Sequence, residues 1–161
     1  MIVLRKISLG DFFLLFRWVN NQESTTFTRK FTKTSLVSHA KWFLQNYKSD
    51  QHLMYKIHDR VTNNDVGIIQ LLIADSSAEL RIKLIEPSLR GRGFGSQALL
   101  SLIEIANAKG LTFIYLFVRR DNQAAVKLYQ KYGFRFVPNS DFLGEYSDGF
   151  FTTSKMILEL D

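Results

Sequence analysis

The sequence predicts a mixed α/β domain spanning residues 1–161, with a mixed central sheet of about six or seven strands flanked by about four helices. Three observations carry this. Apolar residues change period along the chain, from helical spacing to strict alternation and back. The run Leu111 to Val118 is continuously apolar except for Thr112, as in a strand buried on both faces. A strand-like segment stopped by Pro87 passes through a glycine-rich turn into an amphipathic helix.

Ile2 to Ile7 suits a first strand. Ser8 then caps a helix, with Asp11 three residues on as a carboxylate version of the capping box. That helix runs through Phe12, Phe13, Leu15, Phe16 and Val19, and Asn20-Asn21 ends it. A polar stretch from Gln22 to Lys33 follows, and Thr34 or Ser35 opens a second helix through Trp42, Phe43 and Tyr47. Leu53, Tyr55 and Ile57 alternate as in a strand, Asn63-Asn64-Asp65 turns, and Val66 to Ala74 returns to complete a hairpin. Asp75-Ser76-Ser77 turns again into a strand from Glu79 to Ile85. Gly93 to Ala108 is a helix with Leu99, Leu102, Ile103 and Ala106 on one side, closed by Gly110. The buried run comes next, then a helix from Asn122 to Tyr132 ended by Gly133. Phe134 to Val137 and Phe150 to Leu160 are strands around a polar loop.

Composition narrows the function classes. The chain carries no cysteine, which removes disulfides, thiolate nucleophiles and cysteine-based zinc sites together. His39, His52 and His58 fall on different elements without metal-ligand spacing, so no metal is expected. The net charge of +6 attracts anions, but the basic residues are spread out. A phosphate-rich small ligand accounts for that charge, and no nucleic-acid partner is expected. No stretch approaches the roughly 20 apolar residues of a membrane span. The N-terminus lacks the order of a signal peptide, so no membrane partner and a cytoplasmic location are expected.

The chemistry concentrates in Ile85-Glu86-Pro87-Ser88-Leu89-Arg90-Gly91-Arg92-Gly93-Phe94-Gly95-Ser96. Glycines let the backbone approach a ligand closely. The first turn of a helix offers unpaired N–H groups and a partial positive charge, which together make an anion site. Arg90 and Arg92 add full charges beside it. A Walker loop would need a lysine that is absent here, and a dinucleotide fingerprint would need glycine or alanine where Ser96 stands.

The segment Arg90-Gly91-Arg92-Gly93-Phe94-Gly95 fits the pattern [QR]-x-x-G-x-[GA] and resembles the GNAT superfamily of acetyl-CoA-dependent N-acetyltransferases. A second stretch, Asn122-Gln123-Ala124-Ala125-Val126-Lys127-Leu128-Tyr129 through Gly133-Phe134, resembles the signature N-x-x-A-x-x-x-Y-x-x-x-G-F of the same family. The resemblance runs from about Glu79 to Val137. It implies the GNAT fold, acetyl-CoA as cosubstrate, and a pyrophosphate held by Arg90, Gly91, Arg92, Gly93, Phe94, Gly95 and Ser96. It implies Tyr129 as the acid that protonates the departing thiolate, and Glu79 as a base, a place some members use. Asn122 is expected to cap its helix and to bond to the cofactor chain, and backbone N–H groups around Lys83 and Ile85 to hold the acetyl carbonyl.

For the acceptor, Arg17-Trp18-Val19-Asn20 resembles the branch acting on nucleotide-linked amino sugars and protein N-termini, with Val19 where that branch usually has arginine. The acceptor is therefore expected to be a small-molecule or peptide amine, a nucleotide-linked amino sugar first, with a ribosomal-protein N-terminus or a small polyamine as alternatives, the last needing a locally acidic pocket. A non-catalytic CoA-binding or nucleic-acid-binding module is the reading from a different class. The stretch Gln22 to Lys33 is the expected acceptor loop, and Phe150 to Leu160 is expected to offer a sheet edge for a homodimer.

Overall fold

A computed structural model describes residues 1–21 and 33–161. Most of the acceptor loop expected from the sequence, residues 22–32, thus lies outside the described residues. The elements are β1 (Ile2–Lys6), α1 (Phe12–Val19), α2 (Leu36–Asn46), β2 (His52–Asp59), β3 (Asn64–Ala74) and β4 (Ser77–Leu84). They continue with α3 (Phe94–Ala108), β5 (Phe113–Arg119), α4 (Gln123–Lys131), β6 (Arg135–Phe136), β7 (Phe142–Tyr146) and β8 (Gly149–Glu159). All eight strands share one sheet in the order β1-β2-β3-β4-β5-β8-β6, with β7 also paired to β8. Among the described residues only β4 and β5 run parallel; every other neighbouring pair is antiparallel.

The mixed α/β class and the four helices agree with the sequence reading, but the sheet has one strand more than expected. The extra strand is β7, inside the segment read as a polar loop. It pairs with β8 through a tight turn closed by Gly149 at φ 132°. β8 is flanked by β5 on one side and by β6 and β7 on the other. The edge proposed for dimer pairing is therefore interior to the sheet. A short sequence run ends at β8, but the ladder partners that cover it come from three different places in the chain.

Strand parity decides what each face meets. Ala78 and Leu80 of β4, with Ile114, Leu116 and Val118 of β5, point towards Ala98, Leu99, Leu102 and Ala106 of α3, and all are buried. Each large apolar side chain sealed there contributes about 1.5–3 kcal/mol. The other face is covered by α1 and α2, where Leu15, Trp18 and Phe43 pack with Ile7 and Met54. Gly67 of β3 sits opposite Leu84 of β4. A Cβ at position 67 would lie 2.5 Å from the Lys83 carbonyl, so only glycine lets these two strands pack as they do.

The entry to α1 is fastened by charge. A 3-10 turn from Leu9 to Asp11 precedes the helix, so α1 begins at Phe12 rather than directly after Ser8. The Asp11 carboxylate accepts from the Ser8 N–H at 2.9 Å and from the Ser8 hydroxyl at 3.2 Å. The Lys56 ammonium of β2 lies 2.8 Å from Asp11 and 3.3 Å from Asp65 of β3. Burial alone would raise the Asp11 pKa, but the bonds from Lys56 and Ser8 and the Lys56 charge hold it below its ordinary value.

Because the folded Asp11 pKa lies below the unfolded one, its stabilisation is present above the ordinary aspartate pKa and is lost as pH falls through the folded value. Asp11→Asn should therefore lower the unfolding free energy at pH 7 by about 1.5–3 kcal/mol. The variant should also lose less stability than the native chain on acidification, as read from urea melts at a series of pH values.

Candidate active site

The site begins where a ladder stops. β4 and β5 pair over Ser77–Phe113, Ala78–Ile114 and Glu79–Tyr115. Beyond that point β4 runs on to Leu84 and β5 to Arg119 without pairing to each other. The backbone groups that line the gap follow from alternation. Ile85 donates its N–H to the Val66 carbonyl of β3 at 3.0 Å, and Lys83, two residues back, faces the same neighbour. The groups expected to hold the acetyl carbonyl are thus committed to β3. Leu80, Ile82 and Leu84 direct their N–H groups into the gap instead, in step with Ser76, whose carbonyl accepts from Thr112 at 2.7 Å. The expected N–H groups of Lys83 and Ile85 therefore lie on the parity that faces β3, not on the one that faces the opening.

The glycine-rich turn lies at the end of β4. Pro87–Leu89 makes a 3-10 turn with proline at its start, and Arg90 donates its N–H to the Pro87 carbonyl at 3.1 Å. Gly91 and Gly93 have φ of 72° and 85°, a region that L side chains disfavour. The first intrahelical bond of α3 is donated by Gln97 to the Gly93 carbonyl. Among the described residues, the amides of Gly91, Arg92, Gly93, Phe94, Gly95 and Ser96 donate to no acceptor. Six free donors at a helix N-terminus, with the Arg92 guanidinium 5.3 Å from the Phe94 ring centre, form a cradle suited to a diphosphate.

α4 leans on this cradle. A Cβ at Gly95 would rest 3.7 Å from Leu128 and 3.8 Å from Ile82. The Ser96 hydroxyl bonds to the Tyr132 hydroxyl, so that side chain is engaged within the protein. Asn122 caps α4, its side chain accepting from the Ala125 N–H at 3.3 Å. Tyr129, beside Leu128, is 8% exposed and its ring packs on Phe134 with centroids 5.7 Å apart. Among the described residues its hydroxyl has no hydrogen-bond partner, and it is not sealed away from solvent. Burial pushes the phenol pKa up to about 12. It is a neutral proton carrier at every physiological pH.

Glu79 does not join this group. Both its carboxylate oxygens accept from Arg81, at 2.9 and 3.0 Å, and it sits where β4 and β5 are still paired. The paired guanidinium stabilises the ionised carboxylate and so makes it a weaker base.

The opposite face of the sheet holds an apolar cavity of about 480 Å³ beneath α1 and α2. Leu15 and Trp18 of α1 and Ile68 and Ile85 of the sheet make its walls, and Trp42 of α2 stands half-exposed beside it. His39 is 2% exposed, and its Nε2 lies 3.0 Å from the Phe12 carbonyl between α1 and α2. Lys83 lines the cavity with its side chain, and burial lowers its pKa.

Arg119 was not singled out by sequence. It is buried at the end of β5, bonds Asp121 at 2.7 and 2.9 Å and Asp148 at 2.7 Å, and lies over the Phe151 ring at 3.5 Å. It joins the start of α4 to the β7–β8 hairpin. The Arg-x-Asp spacing before Asn122 is the one local signal that pointed to it.

A sheet opened between two parallel strands, with an anion cradle at the opening and a protonated phenol on the next helix, is the arrangement of an acyltransferase fed by an acyl-CoA thioester. Residues 2–135 match the family described as the GNAT acetyltransferase domain, and the chain belongs to that family of N-acetyltransferases. It is 26% identical over 158 residues to a spermidine N(1)-acetyltransferase of Thermoplasma acidophilum, covering 89% of this chain and 96% of that one. A mycothiol acetyltransferase of Renibacterium salmoninarum is 43% identical over 56 residues, which span 35% of this chain and 17% of that protein. In structure, the fold matches a spermidine N-acetyltransferase from Vibrio cholerae in complex with CoA and spermine. The TM-score is 0.84 at 21% identity, over 98% of this chain and 95% of that one. No helix among the described residues is long and apolar enough to cross a membrane.

Gly93→Asp places a side chain and a negative charge in the cradle at a positive φ. Acetyl-CoA binding measured by calorimetry should weaken at least about 100-fold, equivalent to losing one or two charge-assisted hydrogen bonds. Thermal unfolding should show a folded variant.

Proposed function

We propose that this protein transfers the acetyl group of acetyl-CoA directly to a primary amine. The observation that carries the reading is the run of six unpaired amides from Gly91 to Ser96 at the mouth of the opening between β4 and β5. Those amides, with Arg90 and Arg92, hold the pyrophosphate of the coenzyme. The Asn122 side-chain NH₂, left over from capping, is available to the cofactor chain. The N–H groups of Ile82 and Leu84 lie along the opening and stabilise negative charge on the acetyl oxygen as it develops.

The acceptor amine occupies the cavity under α1 and α2 and attacks as the free base. With Glu79 held by Arg81, its proton leaves to water rather than to a carboxylate. Tyr129 donates a proton to the departing thiolate. Most of the rate advantage comes from holding two substrates in line and from one tuned proton transfer. A nucleotide-linked amino sugar is one acceptor consistent with the basic character of the chain, and spermidine is the acceptor named for two of its relatives.

Tyr129→Phe should lower kcat by about 10²–10⁴-fold while leaving acetyl-CoA binding within a few-fold of native. With the phenol at about 12, the native rate should not fall through loss of this proton below about pH 10. Unchanged turnover of the variant in a thiol-release assay would remove Tyr129 as the acid. Glu79→Gln should keep kcat within about threefold of native, since a general base normally contributes about 10²-fold or more.

A further inference from the structure

The acceptor cavity has an electrostatic character that its outline does not reveal. Most of its wall is hydrocarbon or indole. Two ionisable side chains line it among the described residues, His39 and Lys83. His39 is engaged by the Phe12 carbonyl. The Lys83 ammonium has no ion pair and no hydrogen bond to any described residue. The nearby carboxylates are already taken: Glu79 by Arg81, Asp11 and Asp65 by Lys56. Gln70, the other polar group on the cavity floor, accepts from or shares a proton with His52 at 2.7 Å through Oε1. Its amide NH₂ is a donor pointing the same way in charge as Lys83. No described carboxylate lines the cavity to receive a cationic ligand.

We infer that the acceptor is a primary amine that also carries an anionic group, a carboxylate or a phosphate, and that Lys83 of β4 is the residue that pairs with it. The inference rests on the acetyl-transfer reading of the same cavity. A partly buried ammonium in an apolar cavity is unfavourable without a counter-charge, and burial lowers its pKa. An anionic acceptor supplies that counter-charge. The same ammonium repels a polycation, which selects against polyamines by cost as well as by lack of attraction. Lys83 also neighbours Leu84, whose N–H faces the acetyl side of the sheet. An anion held at Lys83 therefore places the rest of a small acceptor next to the point of transfer.

The test compares kcat/KM of the native full-length chain, Lys83→Met and Lys83→Arg. Three acceptor groups are used: anionic amines (an α-amino acid, an amino-sugar phosphate and a nucleotide-linked amino sugar), the neutral amino sugar glucosamine, and spermidine. The native chain should prefer at least one anionic amine over spermidine and glucosamine by about 30-fold or more, in keeping with the cost of like-charge contact. Lys83→Met should abolish that preference through KM with kcat largely kept, and Lys83→Arg should restore it. Calorimetry should show acetyl-CoA binding unchanged in both variants. The anionic group that is preferred separates carboxylate from phosphate. Spermidine as the best acceptor, or a preference untouched in Lys83→Met, overturns the inference while leaving acetyl transfer intact. Binding of acetyl-CoA with transfer to no amine in the panel overturns both.

Discussion

The organisation of this protein depends on one interruption: the ladder between β4 and β5 ends after Glu79 and Tyr115. A buried backbone donor without a partner costs free energy, so a sheet that opens at its centre needs either solvent or a ligand in the gap. The donors left over are those of Leu80, Ile82 and Leu84, because β3 already takes Lys83 and Ile85. The glycine-rich turn adds six more at the mouth. The opening is thus lined by main chain that is rigid on one side and unsatisfied on the other.

Charged side chains hold the two flanks of this opening in place. Asp11 and Lys56 fix the start of α1 over β2 and β3, which sets the roof of the apolar cavity. Arg119 fixes the start of α4, with Asp121, Asp148 and the Phe151 ring around its guanidinium. Removing Lys56 would leave two largely buried carboxylates without their cation, and removing both aspartates would strand the buried Arg119, which is why these contacts matter more than exposed pairs such as Arg135–Glu159.

Features set by local chemistry were legible in the sequence. Gly93 and Asn122 begin their helices, Ser8 and Asp11 form the predicted box, and the run through Ile114 and Leu116 is the central strand. Features set by pairing were not. β7 has a weak pattern of its own and exists because β8 offers an edge. Whether Lys83 or Leu84 faces the opening depends on register with β3, which no motif records. Glu79 looked free until Arg81 was seen folded back upon it. His39 and Trp42 lie one turn apart on α2, yet one is sealed and the other half-open, because only α1 decides which face is covered.

Gly67 shows how finely the opening is set. The missing side chain lets β3 press against the carbonyl of Lys83, and its neighbour across the ladder is Leu84. A single carbon there would act as a shim, lifting β4 at the residues that supply both a charge to one face and a donor to the gap. The spacing of β4 is thus set from behind, by an uncharged position that carries no side chain.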